Sequence, residues 1–317
     1  MILNSQAPMR ISFAGGGTDI SPFANKYGGA VVSATIVRYA RVKITDKSTG
    51  YISYPIDQSD ASFIEKLASR FPPVSIELRV DAPPYSGLGA SGAIGVAVLG
   101  CLNALKGDEP LNKNGIAELA YEIETQELGI SGGRQDQYAA VYGGLNYMEF
   151  GDGRVNINPL EVSTKTLLSL QNSLLLVFTK PRSGSSGHII LDEKARVQSN
   201  DATTLRALFQ QKELANEMRR VLRRGNLYEF GILLHKAWEV KKNQSPLTTN
   251  EYIDEIYDRA LKAGALGGKI AGAGEGGYML LFAPNSEGEV SEAMLDLGLI
   301  TESVIFDNWG LRVWKSE

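Results

Sequence analysis

The chain has 317 residues, a formal net charge of −4, one cysteine (Cys101) and two histidines (His188 and His235). That length suits two domains or one large one. The mild negative charge argues against a broad nucleic-acid surface, the lone cysteine rules out an internal disulfide framework, and two distant histidines rule out a zinc site of His and Cys ligands.

In chain order, the N-terminus lacks the basic-then-apolar pattern of a secretory signal. Residues 10–14, 30–37, 40–45 and 51–54 are short, rich in Val, Ile, Tyr and Thr, and separated by turn residues, which predicts strands. Residues 75–80 alternate apolar and polar and predict another. Pro83-Pro84 then stops regular structure, and from Ser91 to about Lys106 small apolar residues predict a buried helix that includes Cys101 as a core residue. Ile116, Leu119, Ala120, Ile123 and Leu128 give residues 113–128 a helical period. The glycine-rich link 129–133 leads to a short helix over 135–140 and a strand over 145–150, and a soft boundary follows at 152–172.

The second half changes character. Residues 174–179 predict a buried strand, 188–223 and 226–242 predict helices, and another helix runs from about 250 to 263. Strands are expected at 269–271, 278–282 and 302–306, with a helix at 286–297 between the last two. Arg219, Arg220, Arg223 and Arg224, with Glu213 and Glu217 nearby, suit a solvated helix face. Trp309 and Trp314 are placed in the core by default. No apolar run is long enough to span a bilayer, so a soluble, cytoplasmic chain without a membrane partner is expected. Strands first, then helices and a strand–helix–strand closure, predict an α+β fold.

Three glycine-rich segments stand out: Gly15-Gly16-Gly17-Thr18-Asp19, Ser86-Gly87-Leu88-Gly89-Ala90-Ser91-Gly92, and Gly272-Ala273-Gly274-Glu275-Gly276-Gly277. Glycine lets backbone amides approach an anion closely, and the middle segment opens a helix, so a cleft built around phosphates is expected. The same segment also suits an ordinary helix entry with serine as its cap. A dinucleotide fold is disfavoured, because Pro83, Pro84 and Ser86 interrupt the approach to the loop and the region near Asp108 has the character of a loop. No G-x-x-x-x-G-K-[ST] sequence occurs. Glu124 with the Ser91 hydroxyl would suffice as hard oxygen ligands for magnesium beside ATP phosphates, and a separate carboxylate, Asp136, could accept a substrate proton. Glu122 and Glu127 compete with Glu124, which is otherwise a solvent-facing helix carboxylate.

The order Ala7-Pro8-Met9-Arg10-Ile11, Pro84-Tyr85-Ser86-Gly87-Leu88-Gly89-Ala90-Ser91-Gly92-Ala93, Gly133-Arg134-Gln135-Asp136-Gln137 and Lys269 to Gly277 resembles the GHMP small-molecule kinases over almost the whole chain. The resemblance implies a two-domain fold, with an N-terminal mixed-sheet ATP-binding domain over 1–160 and a C-terminal ferredoxin-like α/β domain over 161–317. It also implies ATP- and magnesium-dependent phosphorylation of a small molecule. Pro84 and residues 86–92 would wrap the ATP phosphates, and Ser91 and Glu124 would hold magnesium. Asp136 would act as base or orienting group, with Arg10 stabilising the reacting phosphate or lowering the acceptor's pKa. Gly272 and Gly274 would shape the substrate cleft from the second domain.

Ala90 departs from relatives that carry serine there. Gly16 and Gly17 stand where galactokinases carry a glutamate and a histidine, which counts against galactose. The Gly-Gly-Gly-Thr-Asp form is most similar to the branch acting at the anomeric hydroxyl of heptose 7-phosphate and to its fucokinase-like relatives. In that reading Gly16, Gly17, Thr18 and Asp19 meet the sugar. A substrate that already carries a phosphate needs cations, for which Lys180 and Arg182, beside the serine-glycine run 183–187, and Arg134 are candidates. Another GHMP sugar 1-kinase, or a sugar and ATP sensor without catalysis, stays open. A homodimer is allowed.

Overall fold

In the computed structural model, residues 2–45, 52–53, 58–71, 73–105, 110–181 and 187–316 are described. The chain begins with β1 (Ile2–Ala14), α1 (Phe23–Tyr27), β2 (Gly29–Thr45) and β3 (Ile52–Ser53), followed by α2 (Gln58–Ala68) and β4 (Ser75–Val80). Next come α3 (Ala90–Ala104), α4 (Lys113–Glu122), α5 (Gln135–Tyr142), β5 (Leu145–Gly151) and β6 (Arg154–Pro159). The second half comprises α6 (Thr164–Asn172), β7 (Leu174–Lys180), α7 (Gly187–Gln198), α8 (Ala202–Arg224), α9 (Leu227–Lys241) and α10 (Glu251–Lys262). It closes with β8 (Gly267–Ile270), β9 (Gly277–Phe282), α11 (Glu287–Leu295), β10 (Thr301–Ser303) and β11 (Arg312–Ser316).

Two sheets organise these elements. In the first, β2 is the long central strand, with β1 antiparallel along one edge and β4 and β5 sharing the other. Strand β1 alternates between buried and part-exposed residues from Ile2 to Gln6, then is buried at every residue from Ala7 to Ala14. That run is the signature of a strand covered on both faces, and helices α3, α5, α8 and α9 all pack against β1. Helix α3 is the core helix of this half: every residue from Gly92 to Asn103 is buried, so no polar face exists. The second sheet is antiparallel throughout, in the order β10-β7-β9-β8, and carries its own apolar cluster around Trp238, Ile256, Met279 and Met294.

Several sequence expectations need correction. The expected strands 30–37 and 40–45 are one 17-residue strand, because pairing with β1 continues on both sides of Val37 and Arg38, two extra residues of β2 opposite the Pro8–Met9 step. The expected helix 188–223 is two helices, broken after Gln198, with the Asp201 side chain accepting from the Thr204 amide at 2.8 Å to start α8. The expected helix 113–128 is α-helical only to Glu122 and continues as a π-helical turn over Ile123–Glu127. The strand expected over 302–306 covers only Thr301–Ser303. Trp309 and Trp314 are 70% and 44% exposed rather than in the core. The boundary region 152–172 contains β6 and α6, and the last strand, β11, returns to pair with β1 in the first sheet. Of the expected strand 51–54, only Ile52–Ser53 lies within the described residues.

Helix α9 meets β8 through two glycines. A Cβ on Gly267 would lie 2.3 Å from the Gly231 carbonyl oxygen, and one on Gly231 would lie 2.7 Å from Leu266 Cβ. Gly267 is not at positive φ, so the constraint there is packing alone. Gly267→Ala is expected to lower unfolding stability by about 1–3 kcal/mol, the usual range for overpacking a tight core. Denaturant unfolding of the two proteins measures it, and an unchanged midpoint would show that helix and strand can part without cost.

Candidate active site

Residues 83–91 rise from the end of β4, pass through two prolines and turn into α3. Tyr85 sits at φ 59°, Gly87 at 82° and Gly89 at 75°, so three of five consecutive residues are in the left-handed region that favours glycine. Gly89 takes the N-cap position of α3, and no side chain caps the helix there. The first turn therefore presents backbone N–H groups and the positive end of the helix dipole without a resident acceptor side chain. The loop borders a cavity of about 500 Å³.

Helix α5 forms the facing wall. A Cβ on Gly92 would lie 2.7 Å from Asp136 Cβ, and one on Gly89 would lie 3.2 Å from Asp136 Oδ2. Arg10, from β1, is buried beneath this contact. Its Nε and Nη2 each lie 2.7 Å from Asp136 Oδ1, and Nη1 donates to the Gly87 carbonyl at 2.7 Å. A buried guanidinium is tolerable only when paired and hydrogen-bonded in this way. Ser91 Oγ donates to Glu124 Oε1 at 2.5 Å, and Gln137 Nε2 donates to Oε2 at 2.6 Å. The π-helical turn positions Glu124 inward and buried, whereas Glu122 is exposed and Glu127 pairs with Lys66 and Arg70.

Asp19 lies deeper. Gln135 holds both its oxygens, through its amide at 3.3 Å and its side chain at 2.9 Å. Gly133 must be glycine here, because a Cβ would fall 1.9 Å from Asp19 Oδ2. Burial, and then the nearby charge of Asp136, raise the Asp19 carboxyl above its ordinary value. Two residues that sequence reasoning missed complete this end: Glu193 on α7 and Lys241 at the end of α9, 6% and 4% exposed and both lining the cavity. Burial pushes the Glu193 carboxyl up to about 7, against the attraction of Lys241. Lys269, fully buried in β8, donates to the Ile270 carbonyl at 3.2 Å, with Ser12 Oγ at 3.4 Å. Burial, and then the charges of Lys241 and Arg10, press its amine well below the ordinary value.

Arg10, Gly16, Gly17, Asp19, Pro84, Ser86, Gly87, Gly89, Ala90, Ser91, Glu124, Asp136 and Gly272 thus meet around one cavity. Other expected site residues do not border it. The Thr18 hydroxyl is committed to the loop itself, donating to Gly15 O and accepting from the Ala30 amide. Leu88 is a core residue whose carbonyl accepts from the Arg10 amide at 2.9 Å. Gly92 is consumed by the contact with Asp136. Arg134 pairs with Glu118 at 3.1 Å and lies over the Tyr121 ring. Lys180 is exposed over the Tyr252 ring, and Arg182 lies outside the described residues, as do residues 183–186. The third glycine loop acts mainly as a support: a Cβ on Gly277 would strike the Ser86 carbonyl at 2.5 Å, and one on Gly274 the Thr248 carbonyl at 2.3 Å.

Known proteins resemble this chain. The GHMP kinase N-terminal domain matches residues 60–144 and the GHMP kinase C-terminal domain residues 218–298. The chain belongs to the GHMP kinase family. It is 31% identical to D-glycero-alpha-D-manno-heptose 7-phosphate kinase of Campylobacter jejuni, over 99% of both chains. It is likewise 31% identical to a solved D-glycero-D-manno-heptose 1-phosphate kinase of Bacteroides thetaiotaomicron, with a TM-score of 0.79 over 99% of each chain. Lactococcus lactis galactokinase has the same fold, with a TM-score of 0.75 over 98% of this chain and 95% of its own, at 18% identity.

The buried Glu193 gives stability a pH dependence. Its folded-state value of about 7 lies above the ordinary 4.5, so the stabilisation linked to it is fully present below pH 4.5 and is lost as pH rises through 7. Glu193→Gln removes this term. The stability of the variant relative to the native protein is expected to increase between pH 5 and pH 8, by at most about 3 kcal/mol. Denaturant midpoints at the two pH values measure it, and a pH-independent difference would contradict the burial assigned to this carboxylate.

Proposed function

We propose that the protein is an ATP-dependent sugar kinase that phosphorylates the anomeric hydroxyl of a heptose 7-phosphate, the substrate in the name of the Campylobacter relative. The observation that carries the reading is the convergence of the uncapped start of α3, the Ser91–Glu124 pair and the Arg10–Asp136 pair on one cavity. The amides of the cavity-lining residues Gly87, Gly89, Ala90 and Ser91 bind phosphate oxygens. Ser91 and Glu124 hold magnesium. Among the described residues no group of three or more His, Cys, Asp or Glu gathers around a metal, and two hard oxygens suit an ion that keeps waters and takes the rest of its shell from phosphate. ATP supplies the phosphoryl group, and magnesium neutralises its developing charge.

The protein's own task is to position groups and offset charge. Asp136 accepts a hydrogen bond from the acceptor hydroxyl, orients it, and receives or passes on its proton. Arg10 fixes the Asp136 carboxylate through Oδ1 and ties it to the phosphate loop through the Gly87 carbonyl, so acceptor and donor sites move as one body. Asp19, held by Gln135, receives a sugar hydroxyl. An anomeric hydroxyl is more acidic than an ordinary alcohol, so a carboxylate serves as base. No helix among the described residues is long and apolar enough to cross a membrane, and we place the reaction in the cytoplasm, where ATP is supplied.

Asp136→Asn is expected to cut kcat by a hundredfold or more with ATP affinity retained, in an ADP-release assay with heptose 7-phosphate, mannose, fucose and galactose. Near-normal turnover would remove Asp136 from the chemistry. In the same assay Ser91→Ala and Glu124→Gln should each raise the magnesium concentration needed for half-maximal rate. Unchanged magnesium curves would exclude the pair as ligands.

A further inference from the structure

The second domain supplies a carboxylate at the point where the first glycine loop has no side chains. Gly16 and Gly17 line the cavity, and beyond Gly17 the space is taken by groups from α7 and from the turn after α9. A Cβ on Gly17 would lie 2.9 Å from Glu193 Oε1 and 3.1 Å from Gln244 Nε2. Gln244 in turn donates to the Gly16 carbonyl at 2.9 Å. Glu193 is more than nine-tenths buried, borders the cavity, and has Lys241 as its counter-charge. Lys241 is itself buried, within reach of Gln244 Oε1 at 3.4 Å. A buried carboxylate bordering a cavity is retained at a desolvation cost unless it meets a donor.

We propose that Glu193 is a specificity-determining sugar contact, which accepts hydrogen bonds from a pair of neighbouring hydroxyls on the polyol and is held in place by Lys241. Asp136, Asp19 and Glu193 are then three carboxylates bordering one cavity, coupled through their charges. Such a lining admits hydroxyl groups and repels anions. The part of the substrate that lies along it is an uncharged polyol, and any second phosphate on the sugar projects away from these carboxylates. This assignment rests on the sugar-kinase reading and adds its selectivity to it.

Glu193→Gln keeps the shape and loses the acceptor charge, while Glu193→Asp keeps the charge and withdraws it by one methylene. For both, sugar KM and ATP KM are measured by ADP release, with sugar Kd by calorimetry and a thermal melt. The expected result is a tenfold to hundredfold rise in sugar KM and Kd, the range for losing a hydrogen bond to a charged group, with ATP KM within twofold of the native protein. Sugar KM and Kd within twofold of native, in variants that the melt shows to be folded at the assay temperature, would overturn the assignment and leave the kinase reading standing. The native protein with monodeoxy analogues of its accepted sugar is an independent check: at least one deoxy position remote from the anomeric carbon should lose tenfold in affinity, and equal binding of all of them would also overturn the assignment. Binding of a sugar without turnover would defeat the kinase reading alone, and binding of no sugar would defeat both.

Discussion

One close approach governs the site. Helix α3 can begin against α5 only because Gly92 has no side chain, since a Cβ there would fall 2.7 Å from Asp136 Cβ. That contact puts the free amides of a helix start and the carboxylate of another helix on the same cavity. Arg10 then joins the two, with the carboxylate on one side of its guanidinium and the Gly87 carbonyl on the other. Phosphoryl transfer depends on the placement of donor and acceptor to within fractions of an ångström. A rigid strand, a buried arginine and two touching helices provide that more firmly than mobile loops would.

The electrostatics of the cavity follow from burial. Asp19 and Glu193 carry carboxyls raised by desolvation, and Lys269 carries an amine depressed by it. Such shifts cluster where groups are taken out of water for a purpose other than stability. Lys269 is instructive because it does not border the cavity; its neighbours are Ser12 and the Ile270 carbonyl, and two further cations, Lys241 and Arg10, bear on it. Burial beside two other cations thus favours the uncharged form of this amine.

Arg10 and Asp19 were singled out only through the family resemblance, which also fixed Glu124 among its acidic neighbours and gave Asp136 its role; the phosphate loop and Ser91 were legible in a local pattern, a glycine turn entering a helix. Helix α3 was legible for the same reason, as a run of small apolar residues with no polar face. Glu193 and Lys241 were not, because each is one charged residue on an amphipathic helix and nothing in the sequence says that α7 and the end of α9 face the first glycine loop. The π-helical turn was hidden as well, since its residues keep an ordinary helical composition. Strand β11 was missed because Arg312-Val313-Trp314-Lys315-Ser316 is exposed throughout and its partner, β1, lies some three hundred residues away. Thr18, Arg134 and Lys180 have local partners that the sequence did not reveal. Their chemistry suits a ligand, but their partners are the Gly15 and Ala30 backbone, Glu118 and Tyr252.

The three glycine loops do different things despite similar sequences. The second offers its amides to the cavity. The third is mostly a spacer, whose Gly277 lets β9 close against Ser86, with the Tyr278 amide donating to the Ser86 carbonyl at 2.9 Å. The first lines the cavity at Gly16 and Gly17, where it presents no side chains. The fold of Lactococcus lactis galactokinase recurs here at 18% identity, and a fold alone does not fix what its site binds. The sugar end of this cavity has two coupled halves. Gly17 opens a space that α7 and the turn after α9 enter, and a side chain restored at Gly17 would collide with Glu193 and Gln244 before it reached any sugar. Selectivity at this end thus belongs to the interface between the loop and the second-half helices, and changing one partner without the other leaves either a clash or an empty space.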